Sequence, residues 1–151
     1  MSEASWNILA NNEPGLAEFG QKRIDGQVAY LATVKKNGQP RAHPVTPIVG
    51  EGHCFVFVES GSAKSGDLLD NGYYCLHCAM NDSSGSSGEF QISGRAKRIE
   101  DPSVRVLAES VASYRPSARA VLFELQVSEA ISTEYRGGKP IRRKWLAATV
   151  V

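Results

Sequence analysis

Asn37-Gly38 and Gly50-Glu51-Gly52 stand so close together that the stretch from Lys36 to Leu68, KNGQPRAHPVTPIVGEGHCFVFVESGSAKSGDL, has to reverse direction twice. A two-residue hairpin loop needs positive φ, which Asn and Gly reach at the least cost. The stretch therefore reads strand, turn, strand, turn, strand, and then brings a loop of small residues to the sheet edge. That loop carries Ser60, Ser62 and Lys64 before a short helix begins. Hydroxyls, backbone amides and one ammonium group are the outline of an anion site. Between the turns, QPRAHPVTPIVG holds three prolines, and each removes a ladder donor. Such a strand lies at an edge, is bulged, or faces something other than a neighbouring strand.

The rest of the chain supplies further short elements. Residues 12–24, NEPGLAEFGQKRI, predict a helix with Asn12 as N-cap, Pro14 in the first turn and Leu16, Phe19 and Ile24 near one face. QVAYLATVK is apolar on both alternating faces, so both are covered. HCFVFVES reads as a core strand, Ser62 to Asn71 as a loop turning into two turns of helix, and YYCLHCAM as another strand. NDSSGSSG is a mobile hairpin loop, and EFQISGRAKRIE a strand with Gly94 as the place for a bulge. Asp101-Pro102 opens a second full helix over SVRVLAESVAS; ARAVLFELQVSEAISTEY reads as one long strand and GGKPIRRKWLAATV as a terminal segment. Six to seven strands and two to three short helices do not alternate as βαβ units. The prediction is a mainly β (α+β) chain, an antiparallel barrel with peripheral helices, as a single domain over residues 1–151.

Seventeen basic and sixteen acidic side chains leave a net charge of +1, without the basic excess of a general nucleic-acid binder. No apolar run approaches the roughly 18 residues of a membrane span, and MSEASWNILANNEP lacks a signal-peptide pattern. A cytoplasmic protein is expected. Cys54, Cys75 and Cys78 are odd in number, which argues for reduced thiols. Cys75 and Cys78 form a C-x-x-C on a strand, where positions three apart point to opposite faces, so a redox pair or a zinc site with His53 and His77 is geometrically awkward. No metal is expected.

In ATVKKNGQPRAHPVTP and FVFVESGSAKSGDLLDN the order and spacing resemble the FMN-binding split-barrel superfamily of pyridoxamine 5'-phosphate oxidase-like proteins, over residues 13–146. The resemblance implies a Greek-key split barrel that pairs as a homodimer, with one flavin in each of two grooves at the interface. It lays the flavin ring along Arg41, Ala42, His43, Pro44 and Val45, with His43 flanking the isoalloxazine. The phosphate falls to Ser60, Ser62 and Lys64, where charge-assisted hydrogen bonds suit a dianion. Trp145 becomes a C-terminal aromatic near the ring, and Glu89 or Gln91 reaches the site from the partner chain.

The chain departs from the oxidases at Ala63, where they carry an Arg beside the phosphate Lys, and in IRRKWLA, which has arginines without their histidine. Oxidation of pyridoxamine phosphate is therefore disfavoured. The expected activity is an FMN-dependent oxidoreductase acting on a small-molecule substrate, with no side-chain acid or base standing out as catalytic. Two alternatives stay open: a deazaflavin coenzyme or haem in the same fold, and a non-catalytic, stress-related flavin-binding dimer. His43 also reads as a solvent-facing strand residue, Trp145 as interface packing, and Arg142, Arg143 and Lys144 as a solvated charge run.

Overall fold

A computed structural model describes residues 2–148. In chain order its elements are α1 (Trp6–Asn12), α2 (Pro14–Ile24), β1 (Ala29–Val34), β2 (Pro40–Val45), β3 (Ile48–Gly50), β4 (His53–Val58) and α3 (Ala63–Asp70). They continue with β5 (Tyr73–Cys78), β6 (Glu89–Arg98), α4 (Pro102–Val111), β7 (Val121–Leu125), β8 (Glu129–Arg136) and β9 (Lys139–Leu146). The strands pair antiparallel in the order β2-β1-β5-β6-β7-β4-β3, with β8 and β9 branching from β6. The two ends of that order, β2 and β3, are joined only by Thr46 and Pro47. The sheet must therefore curl until its ends meet at that corner, yet no ladder joins them. This is a split barrel.

The described residues hold nine strands and four helices, more than the six to seven and two to three read from the sequence. Each difference has a local cause. Asn12 does not cap α2; its side-chain amide donates to the Ile8 carbonyl at 2.8 Å inside α1, a helix the sequence reading missed, and Glu13 takes the cap position. The proline-bearing stretch breaks at Thr46–Pro47 into β2 and β3. The long strand near the C-terminus is interrupted where Gln126–Ser128 sit opposite Gly94 and Arg95 of β6, so β7 and β8 pair with successive halves of β6 in shifted register. The expected bulge lies there, in the strand facing Gly94. Of the terminal segment, Thr149 and Val150 lie outside the described residues.

The core follows from the alternation of the strands and one stripe of α2. Leu16, Ala17, Gly20 and Ile24 are buried at helical spacing, and Gly20 lies so close to Phe90 that an added Cβ would sit 2.3 Å from its ring. Trp6 of α1 meets the same ring edge-on at 5.9 Å. These join Leu31, Val56, Leu76, Ile92, Phe123 and Leu125 in the main core, while Ile48, Phe55, Ala108 and Leu122 form a smaller one beneath α4. Arg23 holds both ends of the serine-rich loop, donating to the carbonyls of Ala79, Ser87 and Gly88 at 2.8–2.9 Å. Cys75 and Cys78 point to opposite faces of β5, half-buried and buried; burial pushes the Cys75 thiol up, with Glu129 adding to it. Among the described residues no helix is long and apolar enough to cross a membrane.

Candidate functional site

Two strand edges face the split. β2 pairs with β1 on one side and with nothing on the other, which is where Pro40 and Pro44 are tolerated. β3 covers β4 only over His53–Phe55, so Val56–Val58 have no strand partner on the side away from β7. The loop from Glu59 to Ser62 and the first turn of α3 stand at the end of this opening. At the β2–β3 corner, the Tyr114 hydroxyl donates to the Thr46 carbonyl at 3.2 Å.

Side chains from three elements converge there. Asp67 of α3 is buried, accepts from the Thr33 hydroxyl at 2.7 Å and from Arg41 Nε at 2.9 Å, and so ties α3 to β1 and β2. Burial pushes its carboxyl up, but the hydrogen bonds from Thr33 and Arg41 outweigh that and hold it below the usual carboxylate range. His43 lies beside the same group, its Nε2 3.4 Å from Thr33 Oγ1. Burial, then the charges of Lys64 and Arg41, hold His43 below the usual imidazole range. Lys64 is half-buried and forms no ion pair among the described residues. Ser62 caps α3, its hydroxyl oxygen accepting from the Ser65 amide at 3.2 Å and keeping its own proton free to donate. The result is a cluster of net positive charge beside a helix start, suited to an anion.

His43 lies near enough to Lys64 and Arg41 for their charges to bear on the imidazole, and Arg41 is engaged by Asp67. Ala42 faces the other side of β2, exposed, and Val45 is buried in the main core. Ser60 is exposed and opens toward a cavity of about 370 Å³ shared with Phe57, Glu59, Tyr114, Arg115 and Arg119. Glu89 and Gln91 lie on the outer face of β6, bordering a cavity of about 190 Å³ with His77, Ile131 and Thr133. Trp145 sits on β9 opposite Ala130 and packs against the chain's own core. Within one chain these last three are far along the sheet from Lys64. Asp67 and Thr33 were missed as members of the cluster. Their signal was present as an acid three residues after Lys64, on the same helix face.

Loss of the carboxylate has a calculable consequence. Asp67→Ala should destabilise the fold by about 2 to 3 kcal/mol, since it leaves Arg41 without its partner and Thr33 without an acceptor. Because the folded carboxyl is shifted down, its stabilisation is complete above the ordinary carboxylate value and disappears as pH falls through the folded one. Melting curves should therefore separate wild type from variant at neutral pH and converge in acid; a constant gap would contradict this.

The sequence profile of pyridoxamine 5'-phosphate oxidase matches residues 18–134. The chain belongs to the pyridoxamine 5'-phosphate oxidase family. A search of curated proteins finds no match. Among solved structures, the family fold is seen in a heme binding protein from Mycobacterium smegmatis, at 18% identity and TM-score 0.68, over 89% of this chain and 59% of that one. The chain thus spans less than two thirds of that protein. A NimC/NimA family protein from Clostridium acetobutylicum aligns at 14% identity and TM-score 0.62, over 85% of this chain and 92% of that one. PhzG from Burkholderia lata, in complex with tetrahydrophenazine-1-carboxylic acid, aligns at 14% identity and TM-score 0.56, over 93% and 92%. At these identities the likeness concerns the oxidase-family split barrel itself.

Proposed function

We propose that this chain is an FMN-binding oxidoreductase of the pyridoxamine 5'-phosphate oxidase family that works as a homodimer on a small-molecule substrate. The observation that carries the reading is the cluster of Lys64, Ser62, Arg41 and His43 at the split, where Lys64 has no ion pair among the described residues and the cation charges already weigh on His43. These residues fit a phosphate. Lys64 and the Ser62 hydroxyl would hold it, and Arg41, fixed by Asp67 through Nε and Nη2, has further guanidinium protons that could join them. Bound flavin would supply the electron transfer. The chain's residues bind and orient it, and the 370 Å³ cavity beyond Ser60, with Arg115 and Arg119 on its wall, supports a small anionic substrate. Fluorescence titration with FMN tests this: saturable binding near one equivalent per chain is expected, and absence of binding would refute it.

The outer face of the sheet supports the homodimer. Tyr30, Tyr73 and Leu146 are 51%, 49% and 53% exposed on that face, surface that a second copy would cover. The family resemblance has that copy's Glu89 or Gln91 reach the first copy's site. The interface should bury more than roughly 1,000 Å². Light scattering at micromolar concentration should report a dimer, and Tyr30→Asp a monomer; a wild-type monomer with and without FMN would end this reading.

A further inference from the structure

Thr33 commits its hydroxyl proton to Asp67 at 2.7 Å, so toward His43 Nε2 at 3.4 Å it offers only a lone pair. The neutral imidazole therefore carries its proton on Nε2 and leaves Nδ1 bare. Among the described residues Nδ1 has no hydrogen-bond partner. The groups that bear on the ring are Arg41 on its own strand, Lys64 and Asp67 on α3, and the uncharged Thr33 on β1. Arg41 and Asp67 form an ion pair, which leaves Lys64, among the described residues, as the uncompensated charge beside the ring.

We propose that His43 takes up a proton at Nδ1 when a phosphate monoester binds beside Lys64, so that the site matches its charge to a dianion and favours monoesters over singly charged phosphodiesters. The inference rests on the anion-site reading above. A monoester carries nearly two negative charges at neutral pH, one more than Lys64 balances. The missing positive charge comes from solvent as a proton on Nδ1, and the new N–H becomes a donor for the anion. In the free protein, burial and the two cations keep that proton off; a bound dianion reverses the sign of the field at the ring. A phosphodiester is already balanced by Lys64 and leaves His43 neutral. The ring thus acts as a specificity residue, reading ligand charge.

The test uses methyl phosphate and dimethyl phosphate as probes on the full chain, followed through the His43 ring nitrogens and the Lys64 amide by NMR at about pH 7.5, where the monoester is mostly dianionic. Methyl phosphate should move Nδ1 from the bare to the protonated value, and dimethyl phosphate should leave it bare. FMN affinity should rise about threefold from pH 8 to pH 7, within the limit of about tenfold for one proton, and His43→Gln should lose that slope. Riboflavin should show no slope in either protein. A response at Lys64 with Nδ1 still bare, or a slope that survives in His43→Gln, would overturn this inference alone. No response at Lys64 would overturn it together with the anion site.

Discussion

Gly94→Ala is expected to destabilise the protein by roughly 3 kcal/mol or more, a drop in melting temperature of about 6 to 12 °C for a chain of this size. A Cβ at this position would lie 2.2 Å from the Gln126 carbonyl oxygen and 3.0 Å from the Ser128 amide nitrogen. Both are backbone atoms and cannot swing aside. They belong to the bulge that lets one chain segment serve as β7 and β8 in turn, and the Gln126 carbonyl there also accepts from the buried Tyr74 hydroxyl at 2.7 Å. Relieving the clash would break that bond or the register on either side. Gly66→Ala is the control, because an added Cβ inside α3 meets nothing within 4 Å and alanine is the better helix former. Thermal melts in which both variants match wild type would show that the bulge tolerates a side chain.

Lys64→Ala is expected to lower FMN affinity about 10- to 100-fold, the loss of a charge-assisted contact of about 1.5 to 3 kcal/mol. Riboflavin carries the same ring without the phosphate and should lose much less. The size of the effect follows from the neighbours. Ala63 is exposed and contributes no cation, and Arg41 is held by Asp67, so removing Lys64 removes the charge that no described residue pairs. The salt dependence of FMN binding should weaken in the variant for the same reason. Equal losses for FMN and riboflavin in fluorescence titrations at two salt concentrations would take Lys64 out of the phosphate site.

The parts of this fold legible in the sequence were those with local causes. Asn37-Gly38 marked a hairpin, although only Gly38 takes positive φ and residues 35–39 separate the strands rather than two; Pro40 and Pro44 marked an edge strand, and Asp101 capped its helix as its position suggested. The split lies beside that edge strand, and Lys64, Ser62 and His43 are found near it. What the sequence hid was non-local. Asn12 could cap one helix or end another, and the choice was made by Trp6 and Leu9 burying themselves in the core. The break at Gln126–Ser128 looked like continuous strand because its cause, Gly94, is far away in the chain. Asp67 is one of several polar residues in that helix, and only the packing of α3 on β1 sets it against Thr33 and Arg41. Arg41 illustrates the reverse: its presence was legible, but its engagement by Asp67 was not.

The central claim is that the split of this oxidase-family barrel holds FMN by its phosphate, between two copies of the chain. The most direct measurement is gel filtration with absorbance and light-scattering detection, after incubation of the purified protein with one equivalent each of FMN, deazaflavin coenzyme and haem in separate runs. The account predicts a dimer that carries two flavins from the FMN run. A monomer, or a protein that emerges free of flavin and loaded with haem or deazaflavin instead, would contradict it.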